Sequence, residues 1–183
     1  MHLRILPNPS RWKAHLGTVE VAAGTTERVP FPIDAIVFEE DTYLVLNASR
    51  TLFAPGEHPI RTLTSAFLAK PAKPGTVITR GGHPLRFLAV IHDLDRNPSW
   101  REEWIRETLR MILSEAGERG LRSLALPLLG TVHGTFSAVR FVRHLRSSLE
   151  GSPPSNLSRI WLLAPVPIVA NAVERTSPPS PSP

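Results

Sequence analysis

The chain contains no cysteine. Disulfides, a thiolate nucleophile and cysteine-ligated zinc are therefore excluded. It also has no apolar run approaching the ~20 residues that a membrane span requires. Its basic N-terminus is not followed by an apolar core and a small-residue cleavage site. No secretory signal is read, no membrane association is expected, and a cytoplasmic location is the default. There is no G-x-S-x-G elbow, so no serine nucleophile is expected. His92-Asp93-Leu94-Asp95, with His83 and His133 elsewhere, carries metal-ligating residue types. No H-x-x-x-H pair organises them, so no metal is expected.

What is present fits one ordinary domain. The chain has 183 residues, 42% hydrophobic and 20% charged, enough for one proper core and too few for two. Proline is abundant, at 19 residues. Pro30, Pro32, Pro71, Pro74, Pro153 and Pro154 read as loop punctuation between apolar runs. Ser177-Pro178-Pro179-Ser180-Pro181-Ser182-Pro183 has nothing to bury. It is read as part of a disordered tail over 176–183, with an N-terminal extension over 1–16 and the domain over 17–175. The net charge of +5 and a pI near 10.6 suit arginines solvating helix faces, and they also attract phosphate-bearing partners such as nucleic acid.

Apolar runs predict strands at Thr18–Ala23, Asp34–Phe38, Thr42–Leu46, Thr76–Thr79, Phe87–Ile91, Ser123–Leu129 and Arg159–Ala164. Several are continuous rather than alternating, as in strands covered on both faces. Trp104, Ile105, Leu109, Ile112, Leu113 and Ala116 recur at helical spacing, with Ser99 and Glu102 reading as a capping box and Gly120 as the stop. A second helical stripe runs Ala138, Phe141, Val142, Leu145, Leu149, and a weaker one Ile60, Leu63, Phe67, Leu68. Strand and helix alternate through the second half, which implies an α/β fold with a largely parallel sheet.

One segment points to ligand chemistry. The strand through Leu129 runs into Gly130-Thr131-Val132-His133-Gly134-Thr135-Phe136, and a helix follows. Ligands of open α/β sheets bind at the carboxyl ends of strands. Glycines allow close backbone approach there, and a helix start presents unpaired N–H groups to an anion. A plain strand-to-helix turn is the alternative reading.

Three blocks in order resemble a macro domain, the ADP-ribose-binding module. They are Gly75-Thr76-Val77-Ile78-Thr79 with Leu85 and Val90-Ile91-His92; the helix ending Ala116-Gly117-Glu118-Arg119-Gly120 before Ser123-Leu124-Ala125-Leu126-Pro127; and Leu129-Gly130-Thr131-Val132-His133-Gly134, which resembles the diphosphate-cradling G-T-G loop. The resemblance implies a three-layer α/β/α sandwich with a mixed, largely parallel central sheet. Two registers are open in the first half. Asp34-Ala35-Ile36-Val37 spells the family's D-A-I-V, which places Phe38-Glu39-Glu40-Asp41 where N-A-A-N should follow. The preferred register sets Val45-Leu46-Asn47-Ala48-Ser49-Arg50 on that motif instead, with Asp41 near the adenine and Thr51–Pro59, which includes Phe53–Pro59, where the ligand-covering loop belongs.

The resemblance implies binding of ADP-ribose or a related nucleotide, free or on an ADP-ribosylated protein. Asp41, Asn47, Ala48, Ser49, Arg50 and Gly130 to Phe136 (Gly130, Thr131, Val132, His133, Gly134, Thr135, Phe136) would contact it. Backbone amides from Gly130 to Thr135 would hold the phosphates, Phe136 would lie beside the ribose and Asn47 near the distal ribose. Departures from the family pattern are an almost glycine-free first loop, Val132 in place of the second glycine, and Arg50 in place of the second asparagine. They favour a binding module with no catalytic residue and no cofactor over ADP-ribosyl hydrolysis. An RNA-binding domain without a small-molecule site is the other alternative.

Overall fold

The computed structural model describes residues 12–26, 29–46 and 70–177. Seven strands form one sheet: β1 (Lys13–Leu16), β2 (Val19–Gly24), β3 (Ala35–Asp41), β4 (Thr76–Arg80), β5 (Leu85–His92), β6 (Ser123–Leu126) and β7 (Arg159–Leu163). Their spatial order is β1-β2-β7-β6-β3-β5-β4. The five inner strands are mutually parallel, and β1 and β4 pair antiparallel at the two edges. The sheet is thus mixed and largely parallel, as the sequence predicts. Lys13–Leu16, within the stretch read as an extension, is paired residue for residue with β2.

Three helices are described: α1 (Glu102–Glu118), α2 (Ala138–Gly151) and α3 (Val166–Thr176). They share one face of the sheet. Ile105, Leu109 and Ile112 of α1, Phe141, Leu145 and Leu149 of α2, and Val169 of α3 join Val21, Val37, Phe87, Leu124 and Ile160 in one buried cluster. Removing each such side chain from water contributes about 1.5–3 kcal/mol. The opposite sheet face carries a second, smaller cluster of Ala22, Phe31, Ala125 and Trp161. The helical stripe Ile60–Leu68 lies outside the described residues.

Two elements escape sequence periodicity. β1 is only four residues long with one buried, and α3 begins with Pro165 and Pro167, which suit a first helical turn but read as loop. The expected strand Ser123–Leu129 ends at Leu126. Pro127 has no N–H for a ladder, and the Leu128 carbonyl accepts from Thr131 N–H at 3.1 Å instead.

Two further expectations are corrected. Ser99 and Glu102 do not form a capping box. The N-cap is Arg101, with no side-chain cap; Ser99 Oγ lies against His92, and Glu102 pairs with His144 and Arg140. The helix does stop at Gly120, whose φ is +66°. Thr42–Leu46 is a turn, not a strand. Asp41 carboxylate oxygens accept from Tyr43 N–H at 2.6 Å and Val45 N–H at 3.2 Å, and Leu44 has a φ of 58°. These local bonds compete successfully with strand pairing. The strand on which the preferred register sets Val45 and Leu46 is therefore a turn, while Asn47 to Arg50 of that register lie outside the described residues. Asp34 precedes β3 and Ala35-Ile36-Val37 opens it, between β6 and β5.

Candidate functional site at the carboxyl ends of β3, β5 and β6

The parallel strands β3, β5 and β6 end on the same rim. The chain passes from β5 through α1 to β6, crossing β3 to its other side. Crevices for ligands form where neighbouring connections diverge in this way. The rim carries Glu39 and Asp41 of β3, His92 at the end of β5, Ser99 and Trp100 of the following loop, and the Gly130–Phe136 loop after β6.

Gly130 makes the tight exit from β6. Its φ is +76°, and a Cβ there would lie 2.6 Å from Ile105 Cδ1. Its N–H donates to Glu39 Oε2 at 2.9 Å, and its carbonyl accepts from Phe136 N–H at 3.1 Å. Thr131 N–H is also used internally, on Leu128. The N–H groups of Val132, His133, Gly134 and Thr135 have no partner among the described residues. The amides available to an anion are thus a run of four and not the six from Gly130 to Thr135. Val132 is 77% exposed, and His133 and Thr135 are exposed beside it.

Phe136 is buried in the core. Its ring is contacted by Trp100 at 5.6 Å and stacked on His144 at 6.1 Å, with Arg140 over it. Packing therefore occupies much of the surface assigned to a ribose. Asp41 is fully buried, its oxygens held by its own turn. Asn47, Ala48, Ser49 and Arg50 and the loop Phe53–Pro59 lie outside the described residues.

Beside the loop is a chain of side-chain hydrogen bonds that motif reading missed. His92 Nε2 lies 2.7 Å from Glu39 Oε1, and His92 Nδ1 lies 3.2 Å from Ser99 Oγ. His92 and Glu39 are buried, and Ser99 is half-buried. The Asp93 N–H to Ser99 carbonyl bond, 2.6 Å, and the His92–Trp100 bridge hold the two loop stems together. The His133 ring stands edge-on to His92 at 6.3 Å. The signal available in sequence was three consecutive acids, Glu39-Glu40-Asp41, on a strand whose other residues are apolar.

The far edge of the rim is acidic. Tyr43 donates its hydroxyl to Asp95 Oδ2 at 2.7 Å. This bond to Asp95, followed by partial desolvation and the charges of Asp95, Asp93 and Asp41, raises the Tyr43 pKa above its ordinary value.

No family model matches the sequence, and no curated protein does. Solved structures do match. The Thermus aquaticus DarG macrodomain aligns over 79% of this chain and 98% of its own, at 19% identity and a TM-score of 0.57. The Oceanobacillus iheyensis macrodomain solved with ADP aligns over 90% and 93%, at 11% identity and 0.64. The GDAP2 macro domain aligns over 94% and 86%, at 12% identity and 0.59. The fold is that of a macrodomain. The macrodomain resemblance read from the Gly75–His92 and Leu129–Gly134 blocks thus extends through the described sheet, including the first half, where the motifs are weakest. Among the described residues no helix is long and apolar enough to cross a membrane.

Proposed function

We propose that this macrodomain binds ADP-ribose or a closely related nucleoside diphosphate, with the diphosphate on the open N–H groups of Val132, His133, Gly134 and Thr135. The observation carrying this reading is that run of four unpaired amides at the carboxyl end of a central parallel strand, where backbone dipoles favour anions. Two structures of the similar Oceanobacillus iheyensis macrodomain, one with ADP and one with ADPR, support the ligand class. Affinity is modest, because Gly130 and Thr131 have already committed their N–H groups, and each missing amide–phosphate bond costs on the order of 1.5–3 kcal/mol. The ligand is presented free or on a modified protein in the cytoplasm.

Calorimetry with ADP-ribose, ADP and AMP, alongside backbone amide shifts, tests this. Binding that favours the diphosphates and moves the amides of Val132–Thr135 supports the reading. Absence of binding at millimolar ligand rejects it.

A further inference from the structure

The hydrogen-bond chain on the rim has one bond of set direction, and the tautomer of His92 sets the other two. Gly130 N–H donates to Glu39 Oε2, which anchors the carboxylate as an acceptor. An ionised Glu39 then takes a hydrogen from His92 Nε2 through Oε1. With its proton on Nε2, a neutral His92 presents a lone pair at Nδ1, and the group facing that lone pair is the Ser99 hydroxyl. This is one of the two tautomers that the distances allow, and it leaves each of these contacts with one donor and one acceptor. The order is hydroxyl, imidazole, buried carboxylate. That is the order of an activated nucleophile, its general base and the acid that orients the base.

The surroundings supply the remaining parts. Ser99 is half-buried at the carboxyl ends of the parallel strands, while His92 and Glu39 are shielded beneath it. Trp100, the next residue, lies against Gly134: a Cβ on that glycine would come within 2.8 Å of the indole. The unpaired N–H groups of Val132–Thr135 therefore lie on the same rim as Ser99 and are of the type that stabilises an oxyanion. The absence of a G-x-S-x-G elbow does not bear on this chain of three, since the arrangement is recognised by geometry and roles rather than by sequence position.

We propose that Ser99, His92 and Glu39 form a nucleophilic hydrolysis site for small carboxylic esters, with Ser99 and His92 as the catalytic residues and Glu39 as the positioning residue. Ser99 Oγ attacks the ester carbonyl carbon as its proton passes to His92 Nδ1. Collapse of the tetrahedral adduct breaks the bond to the alcohol oxygen, which leaves with the proton from Nδ1. Water then attacks the acyl-serine, giving its proton to Nδ1. The carboxylic acid departs and the proton returns to Ser99. The sum is ester plus water to acid plus alcohol. This activity does not require ADP-ribose, and a diphosphate held on the same amides would inhibit it.

The test uses the full chain. The folded wild-type protein is incubated with a fluorophosphonate probe, and the adduct is located by peptide mass spectrometry. The site predicts one adduct, on Ser99. Hydrolysis of p-nitrophenyl acetate should fall at least about a hundredfold in Ser99→Ala. Glu39→Gln preserves both contacts but donates to Nε2, which moves the histidine proton to Nδ1 and leaves Ser99 facing a donor. The comparable exchange in the serine protease triad costs about 10⁴-fold in kcat, so a fall of at least about a hundredfold in kcat with unchanged KM is expected here. A wild-type protein with no adduct at Ser99 overturns the proposal, as does a hydrolysis rate unaffected by Ser99→Ala. Full activity in Glu39→Gln removes Glu39 from the site.

Discussion

Glu39 accepts the Gly130 N–H at 2.9 Å, so a carboxylate from the central strand, and not a ligand, holds the first amide of the loop after β6. Replacement by alanine strands two buried partners, that N–H and His92 Nε2. Each buried group left unsatisfied costs about 1–3 kcal/mol, about 2–6 kcal/mol for the two, whereas Glu39→Gln retains both contacts and is expected to cost about 1 kcal/mol. Urea unfolding of the two variants checks the difference, and equal destabilisation would show that the hydrogen bonds are not what holds the loop.

Gly130→Ala is expected to destabilise the fold by about 2–5 kcal/mol. The new methyl would lie 2.6 Å from Ile105 Cδ1 and 3.2 Å from Phe136 Cβ, at a φ of +76°. Overpacking contributes about 1–3 kcal/mol and the left-handed backbone about 1–2. A shift of the urea midpoint of less than about 1 kcal/mol in equivalent stability would mean that the strand exit can relax around a side chain.

Gly134 is constrained differently from the way the loop sequence suggests. A Cβ would lie 2.7 Å from the Gly130 carbonyl and 2.8 Å from Trp100. Gly134→Val therefore displaces the loop from β6 and the indole before any phosphate approaches. The expected result is a loss of ADP-ribose binding accompanied by a change in tryptophan emission of the unliganded protein. Lost binding with unchanged emission would indicate that the side chain blocks the ligand directly.

Glu102 supplies a pH-dependent prediction. Its carboxylate contacts His144 Nε2 at 2.6 Å and pairs with Arg140. The His144 hydrogen bond first, and then the Arg140 charge, lower its pKa below the ordinary 4.5 against an opposing effect of burial. Because the folded value is depressed, the stabilisation is fully present above 4.5 and is lost as pH falls through the folded value. Glu102→Gln should be less stable than wild type at neutral pH by up to about 1 kcal/mol, as expected for a partly exposed pair. The gap should close in acid. Unfolding midpoints from neutral pH to about pH 3 test this, and a gap that persists in acid would place the effect in packing and not in charge.

Local pattern carried much of the architecture. Phe87–Ile91 and Arg159–Ala164 are continuous apolar runs, and they became inner strands β5 and β7. The stripe from Ile105 to Ala116 is the buried face of α1. Periodicity reports burial directly, because a side chain repeating at the pitch of its element always meets the same neighbour. Thr42–Leu46 misled for the complementary reason: its residues suit a strand, but Asp41 beside them bonds to the two nearby amides and turns the chain.

By itself the sequence determined the α/β class, the parallel core, the two long helices and the position of a glycine-bearing loop after a buried strand. Those properties depend on residues near each other in the chain. Only the tertiary structure decided which of the loop amides remain open and which side chains meet on the rim. Glu39 reaches His92 across 53 residues and Gly130 across 91. Strand order in the sheet brings them together, and hydrogen-bond partners separated by that much chain leave no periodic trace in either neighbourhood.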